Sequence, residues 1–118
     1  MQLGLVSGDL MLVARLEGAA RQLGWKLVTA GSTAGAVAWS PEELAAVVVD
    51  LRTAGRGVEQ FVADWQAAGH DAPIVACGPH VQEELLAIAR NAGCAAVVTR
   101  GQIDREAEQI LTAVTNQA

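Results

Sequence analysis

A fully apolar segment in the middle of the chain sets the strongest limit on the fold. Residues 45–49 read Ala-Ala-Val-Val-Val, and the segment ends at the carboxylate of Asp50. A run of this kind, without polar alternation, is typical of a strand buried on both faces of a parallel sheet. Ligands of open α/β sheets bind just beyond the carboxyl ends of the strands, so Asp50 is the first candidate for a functional residue.

Strand-like and helix-like segments alternate along the whole chain. The predicted strands are residues 3–7, 25–30, 45–50, 73–77 and 94–99. Helical spacing of apolar residues predicts helices over about 10–23, 33–39, 58–68, 81–91 and 103–115, the first of them capped by Asp9. Five βα units with short connections imply a parallel sheet covered by helices on both faces. We therefore predict one domain over residues 1–118, an α/β flavodoxin-like (βα)5 three-layer sandwich with strand order 2-1-3-4-5.

Composition argues against several classes of function. The formal net charge is −5 and aromatic residues make up 3% of the chain, which disfavours nucleic-acid binding. No apolar run approaches the length of a membrane span, so no membrane interaction is predicted. The first residues lack a secretory signal pattern, and the expected location is the cytoplasm. The two cysteines, Cys77 and Cys94, lie in apolar segments and are predicted to be buried free thiols.

A few other residues attract attention by type or position. His80 is expected on the rim of the crevice, whereas His70 lies in a turn and is predicted to be structural. Trp65 keeps helical spacing with Phe61 and is predicted to be core, while Trp39 is predicted to be partly exposed and open to a partner. The glycine-containing loops at 31–35 and 55–57 do not match nucleotide-binding motifs.

Several segments match one known family in register. They include Gly24 at the end of the first helix, the strand that ends in Asp50, the Pro73-Ile74-Val75 segment and Gly93 before the fifth strand. With these segments aligned, nearly the whole chain resembles the receiver domains of two-component response regulators (CheY-like domains).

The resemblance assigns each position of the receiver site to a residue of this chain. The phosphoacceptor position falls on Asp50, the acidic pair that holds Mg²⁺ on Ser7 and Gly8, the hydroxyl residue on Gly78, and the Lys-Pro pair on Arg100 and Gly101. Only the aspartate is retained. Mg²⁺ requires several hard oxygen ligands, and one carboxylate is a poor set. Asp9 is expected to cap its helix. Arg100 is expected to pair with Asp50, directly or through one water, as a fixed cation in place of the metal.

These substitutions predict a pseudo-receiver: a non-enzymatic signalling or scaffolding domain that acts through protein contacts, without a cofactor and without Mg²⁺-dependent phosphorylation. One alternative is a phospho-receiver that uses Asp50 and Mg²⁺. Another is a small-anion binding module in the same crevice. The predicted crevice residues are Ser7, Gly8, Asp9, Asp50, Gly78, His80 and Arg100.

The predicted partner is another protein or a second copy of the chain. Receivers generally use the face formed by the last two helices and the last strand, and the resemblance implies the same face here. The final helix carries an apolar set that we expect to be partly exposed, with the alternative that all of it packs on the sheet. The residues of this set are Ile103, Ala107, Ile110, Leu111 and Val114.

Overall fold

The computed structural model describes residues 1–116 as five parallel strands and six helices. The strands are β1 (Gln2–Val6), β2 (Lys26–Ala30), β3 (Leu44–Asp50), β4 (Ile74–Gly78) and β5 (Ala96–Thr99). The helices are α1 (Leu10–Gln22), α2 (Thr33–Val37), α3 (Leu51–Ala54), α4 (Val58–Ala67), α5 (Glu83–Ala92) and α6 (Arg100–Thr115), with 3₁₀ turns at Pro41–Glu43 and Gly55–Gly57. The sheet order β2-β1-β3-β4-β5 confirms the predicted flavodoxin-like fold.

Apolar cores cover both faces of the sheet. On one face, α1 and α6 pack over side chains such as Leu5 and Val48. On the other face, α2, α4 and α5 cover side chains such as Val47 and Val49. Residues 46–49 of β3 are fully buried, as their uninterrupted apolar sequence predicts. This arrangement places the carboxyl end of β3 between two neighbouring strands.

Side-chain caps fix the starts of α1, α3 and α6 at the carboxyl end of the sheet. Asp9 caps α1 as predicted, and Asp50 itself caps α3. Thr99 caps α6 in a reciprocal capping box with Gln102, so this helix begins at Arg100 and not at Ile103. The short helix α3 replaces part of the predicted loop, because the carboxylate of Asp50 accepts a bond from the backbone of the next turn.

The prediction of an exposed apolar face on α6 is wrong. Ile103, Ala107 and Leu111 are fully buried and Val114 is 6% exposed, all in the core shared with α1 and the sheet. Ile110 is half-buried and packs against the same core. The four buried residues form one narrow stripe, and the groove between α1 and the sheet takes up its whole width.

A polar clamp from α1 holds α6 in that groove. Arg15 pairs with Glu108 at 2.7 Å, and its Nε donates to the carbonyl of Asp104 at 2.6 Å. The helix is kinked at Glu106, where φ is −128° and ψ is 25°. Arg15 also lowers the pKa of Glu108, because its guanidinium donates a hydrogen bond to Oε2 of that carboxylate. The clamp and the buried stripe together tie α6 to α1.

The aromatic and thiol side chains are mainly structural. Trp65 is buried, its Nε1 donates to the carbonyl of Ala72, and the ring of His70 stacks on it at 3.6 Å. Trp39 is half-buried, in agreement with the prediction. Cys77 is buried and Cys94 is half-buried, and burial raises their pKa values to about 12 and about 11. Within residues 1–116, no helix is long and apolar enough to cross a membrane.

Candidate functional site

A cleft of about 390 Å³ opens at the carboxyl ends of β3, β4 and β5. Four of the predicted crevice residues line it, namely Asp50, Gly78, His80 and Arg100. The remaining wall consists of Arg52, Pro79, Val81 and Gly101. The other three predicted residues, Ser7, Gly8 and Asp9, form the β1–α1 loop. Ser7 and Asp9 are hydrogen-bonded to the lining residues Asp50 and Arg100, whereas the backbone N–H of Gly8 donates to Thr53, which lies outside the lining.

Asp50 is buried and both of its carboxylate oxygens accept hydrogen bonds. Only 4% of the residue's surface is exposed. The hydroxyl of Ser7 donates to Oδ2 at 2.7 Å, and the backbone N–H of Arg52 donates to Oδ1 at 3.0 Å. The oxygen of Ser7 in turn accepts from the backbone N–H of Asp9 at 3.0 Å. Asp50 is therefore joined to the β1–α1 loop and to α3 at once.

Asp9 uses its two oxygens for different partners. Oδ1 accepts from the backbone N–H groups of Met11 and Leu12 at the start of α1, at 2.9 and 3.4 Å. Oδ2 accepts from Arg100 at 2.6 Å. The hydrogen bond from Arg100, followed by the one from Met11, holds the pKa of Asp9 below its usual value of 3.8. The predicted cap is thus confirmed, and the same side chain is also an ion-pair partner.

The direct form of the predicted pairing between Arg100 and Asp50 is not found. The guanidinium of Arg100 binds Asp9, and its Nε lies 3.3 Å from a carboxylate oxygen of Asp104, one turn further along α6. Within residues 1–116 no hydrogen bond or ion pair joins Arg100 to Asp50. The pKa of Arg100 is raised, because its hydrogen bonds to the two carboxylates outweigh the opposing effect of burial. Asp50 is satisfied by Ser7 and α3, and Arg100 turns instead towards α1.

The position of Gly78 is closed by its neighbour. Leu51 is fully buried directly after Asp50, and it packs over Gly78. A Cβ atom at position 78 would lie 3.2 Å from both Cβ and Cδ1 of Leu51, which is tighter than ordinary contact. A hydroxyl-bearing side chain at this position would require Leu51 to move.

The outer part of the cleft carries two basic residues, Arg52 and His80, that were not predicted to lie together. Arg52, in α3, and His80, in the loop between β4 and α5, are exposed, and no hydrogen-bond or ion-pair partner is found for either side chain among the described residues. Nearby, Arg56 is paired with Glu84. Residues 1–116 contain no group of three or more His, Cys, Asp or Glu side chains arranged to hold a metal ion.

Sequence comparisons find no relative for this chain: no protein-family model matches it, and neither does any curated protein. Solved structures, in contrast, match it over nearly its full length. A response regulator from Thermotoga maritima is 11% identical with a TM-score of 0.81, covering 98% of both chains. The receiver domain of a Pseudomonas aeruginosa sensor histidine kinase, which has a magnesium ion coordinated in its active-site cleft, is 18% identical with a TM-score of 0.79, again covering 98% of both chains.

A third similar structure is a CheY-like protein, TadZ, from Pseudomonas aeruginosa. It is 17% identical, with a TM-score of 0.78, and the match covers 97% of this chain and 98% of that one. At such identities the likeness concerns the fold. The predicted resemblance to response-regulator receiver domains is confirmed at that level.

Proposed function

We propose that this chain is a pseudo-receiver: a cytoplasmic signalling or scaffolding domain that is not an enzyme and acts through protein contacts without phosphorylation of Asp50. The observation that carries the proposal is the engagement of both Asp50 oxygens by Ser7 and by the backbone of Arg52. A phosphoacceptor needs a carboxylate oxygen that can attack phosphorus. Here each oxygen already accepts a hydrogen bond, and the residue is only 4% exposed, which lowers the nucleophilicity of the carboxylate and limits access to it.

The neighbouring donors do not fit a magnesium ion of the receiver type. Mg²⁺ takes oxygen ligands in near-octahedral geometry and is usually held by one or two carboxylates together with phosphate oxygens and water. Ser7 and Gly8 bring no carboxylate to the β1–α1 loop. The carboxylate of Asp9 already serves as the cap of α1 and as the partner of Arg100. A metal would have to compete with both interactions.

The surface most suited to a protein partner lies at the cleft end of the molecule. Leu10, Met11 and Val81 are large apolar residues that are 82%, 78% and 74% exposed. Leu10 and Met11 begin α1, and Val81 lies on the cleft wall before α5. Exposed apolar side chains near polar groups are characteristic of protein interaction sites. The proposed contact surface is therefore the one formed by Leu10, Met11 and Val81, in place of the predicted face of α6.

Phosphoryl analogues provide the direct test of the proposal. We expect the amide NMR spectrum of the protein to be the same with and without Mg²⁺ and beryllofluoride, because the site lacks the ligands to assemble the complex. Acetyl phosphate with Mg²⁺ should likewise leave the intact mass unchanged.

The matched control for this test is Asp50→Asn. Asparagine preserves the cap and removes the nucleophile, so the variant should behave like the wild type. Saturable shifts at Ser7, Asp50 and Gly78 in the wild type, absent from Asp50→Asn, would overturn the proposal in favour of a phospho-receiver.

A further inference from the structure

The outer half of the cleft is chemically different from its floor. The floor consists of Asp50 and Gly78. The Asp50 oxygens already accept hydrogen bonds from Ser7 and Arg52, and Leu51 packs over Gly78. The outer half is lined by the cationic or titratable residues Arg52, His80 and Arg100. Arg52 lies in α3, His80 in the loop between β4 and α5, and Arg100 at the start of α6, and these three segments meet at the carboxyl end of the sheet. Arg100 shares its charge with Asp9 and Asp104, whereas no carboxylate is paired with Arg52 among the described residues, so Arg52 brings an uncompensated positive charge to the cleft mouth.

Two of the three basic side chains have no partner among the described residues. Arg52 is exposed and free of ion pairs, in contrast to Arg15, Arg21 and Arg56, each of which is paired with a glutamate. Arg100 uses NH1 and Nε for Asp9 and Asp104. An arginine fork presents several donors in one plane, and binding of a carboxylate or phosphate through it is charge-assisted. The unused donors therefore favour an anion.

The cleft also has an apolar wall. Pro79 and Val81 line it, and Val81 is 74% exposed. Gly101 adds no side chain to this part of the lining. A cavity of about 390 Å³ is within the usual range of small-molecule sites, which combine apolar walls with a few converging polar groups.

We propose that the mouth of this cleft binds a small organic anion, a carboxylate or phosphate that carries an apolar group. The anionic end lies between Arg52, His80 and Arg100, and the apolar part lies against Pro79 and Val81. The inference deepens the proposed function and rests on it, since a bound anion would act as the input of a domain that is not phosphorylated. The carboxylate of Asp50 stays on the floor and takes no part in binding.

Phenyl phosphate is a suitable probe because it combines both chemical features. We would titrate it into the ¹⁵N-labelled full chain in the presence of EDTA, with inorganic phosphate and benzyl alcohol as partial probes. We expect saturable shifts at the amides of Arg52, His80, Val81 and Gly101. Inorganic phosphate should bind about tenfold more weakly for want of the apolar contact, and benzyl alcohol should not produce saturable shifts.

Three variants separate this site from general electrostatics and from phosphorylation. Arg52→Gln should weaken phenyl phosphate about tenfold, as expected for loss of a charge-assisted bond. Arg90→Gln, which removes the same charge from an exposed position on α5, should leave the affinity unchanged within about twofold. Asp50→Asn should bind equally well or more tightly, because a negative charge leaves the cleft floor.

Four results would overturn the anion site. They are the absence of saturable shifts, equal losses in Arg52→Gln and Arg90→Gln, equal binding of benzyl alcohol, and equal affinity for inorganic phosphate. With beryllofluoride still without effect, any of them would leave the pseudo-receiver proposal standing. Binding that requires Mg²⁺ and disappears in Asp50→Asn would overturn both proposals together.

Discussion

At the scale of single residues, Asp50 behaves as a structural side chain. It accepts a hydrogen bond from Ser7 and another from the first turn of α3, and it is almost completely buried. A hydrogen bond to a charged group contributes about 1.5–3 kcal/mol to stability. Loss of either donor leaves a buried carboxylate oxygen without a partner, so the residues around Asp50 should be sensitive to conservative substitutions.

Ser7→Ala tests this interpretation with a small change. The variant removes the donor to Asp50 Oδ2 and the acceptor of the Asp9 amide. We expect the free energy of unfolding to fall by about 1–3 kcal/mol, measured by urea denaturation. Ser40→Ala is the matched control, since Ser40 is exposed and its side chain caps nothing, and its effect should stay within about 0.5 kcal/mol. Equal stabilities of the two variants would contradict a structural role for Ser7.

The ion pair of Asp9 and Arg100 should be visible as a pH dependence. The folded protein holds the pKa of Asp9 below 3.8, so the pair stabilises the fold fully above that pH and loses its contribution as the pH falls through the lower folded value. Asp9→Asn keeps a capping side chain but removes the charge. We expect the stability difference between wild type and Asp9→Asn to be largest near neutrality and to shrink below about pH 4. A gap that is constant from pH 7 to pH 2 would argue against the ion pair.

At the scale of elements, periodicity predicted the order of the strands and the approximate extent of most helices. Residues 45–49 could be assigned because a fully apolar run of that length has few alternatives. Helix α3 was missed because four residues show no periodicity, and it forms through the side chain of Asp50. The start of α6 was placed three residues too late because the capping box of Thr99 and Gln102 extends the helix into the β5 end.

The site was harder to predict than the fold. Topology brought the right loops together, and four of the seven predicted residues do line the cleft. Arg100 contacts Asp9 directly and not Asp50, because these two carboxylates lie at adjacent strand ends and spacing alone does not tell which one a long side chain reaches. The exposure of the apolar residues of α6 was hard to predict for a similar reason. Periodicity identifies the apolar face of a helix but not how much of that face its neighbours cover.

Close packing between β1 and Trp39, which lies two residues beyond α2, provides a prediction at this scale. A Cβ atom on Gly4 would lie 2.5 Å from the ring of Trp39, so Gly4→Ala must displace the indole. We expect it to lower the free energy of unfolding by about 1–3 kcal/mol.

Gly18→Ala is the matched substitution on α1. A Cβ there meets nothing within 4 Å, and we expect stabilisation by up to about 1 kcal/mol. Urea denaturation of both variants, with Trp39→Leu added to Gly4→Ala, checks the cause. If Trp39→Leu did not restore part of the stability lost in Gly4→Ala, contact with the indole would not be the cause of that loss.

At the scale of the whole molecule, α1 and α6 differ in how much apolar surface they leave exposed near the cleft. Helix α6 is tied to α1 by a buried stripe and by Arg15, which leaves little apolar surface there for a partner. The first turn of α1, in contrast, exposes Leu10 and Met11. A domain that signals through contacts should therefore present the carboxyl end of its sheet, next to the cleft, and not the outer side of α6.

The last prediction compares these two surfaces with matched charge insertions. Met11→Asp places a carboxylate in the exposed first turn of α1, where it also suits the helix dipole, and should abolish self-association or the capture of a partner protein. Ala113→Asp places the same charge on the exposed side of α6 and should leave complex formation unchanged. Sedimentation velocity over a wide concentration range, alone and with cell extract, measures both. A wild-type protein that stays monomeric and captures no partner would contradict a contact-based function, and a loss confined to Ala113→Asp would return the contact surface to α6.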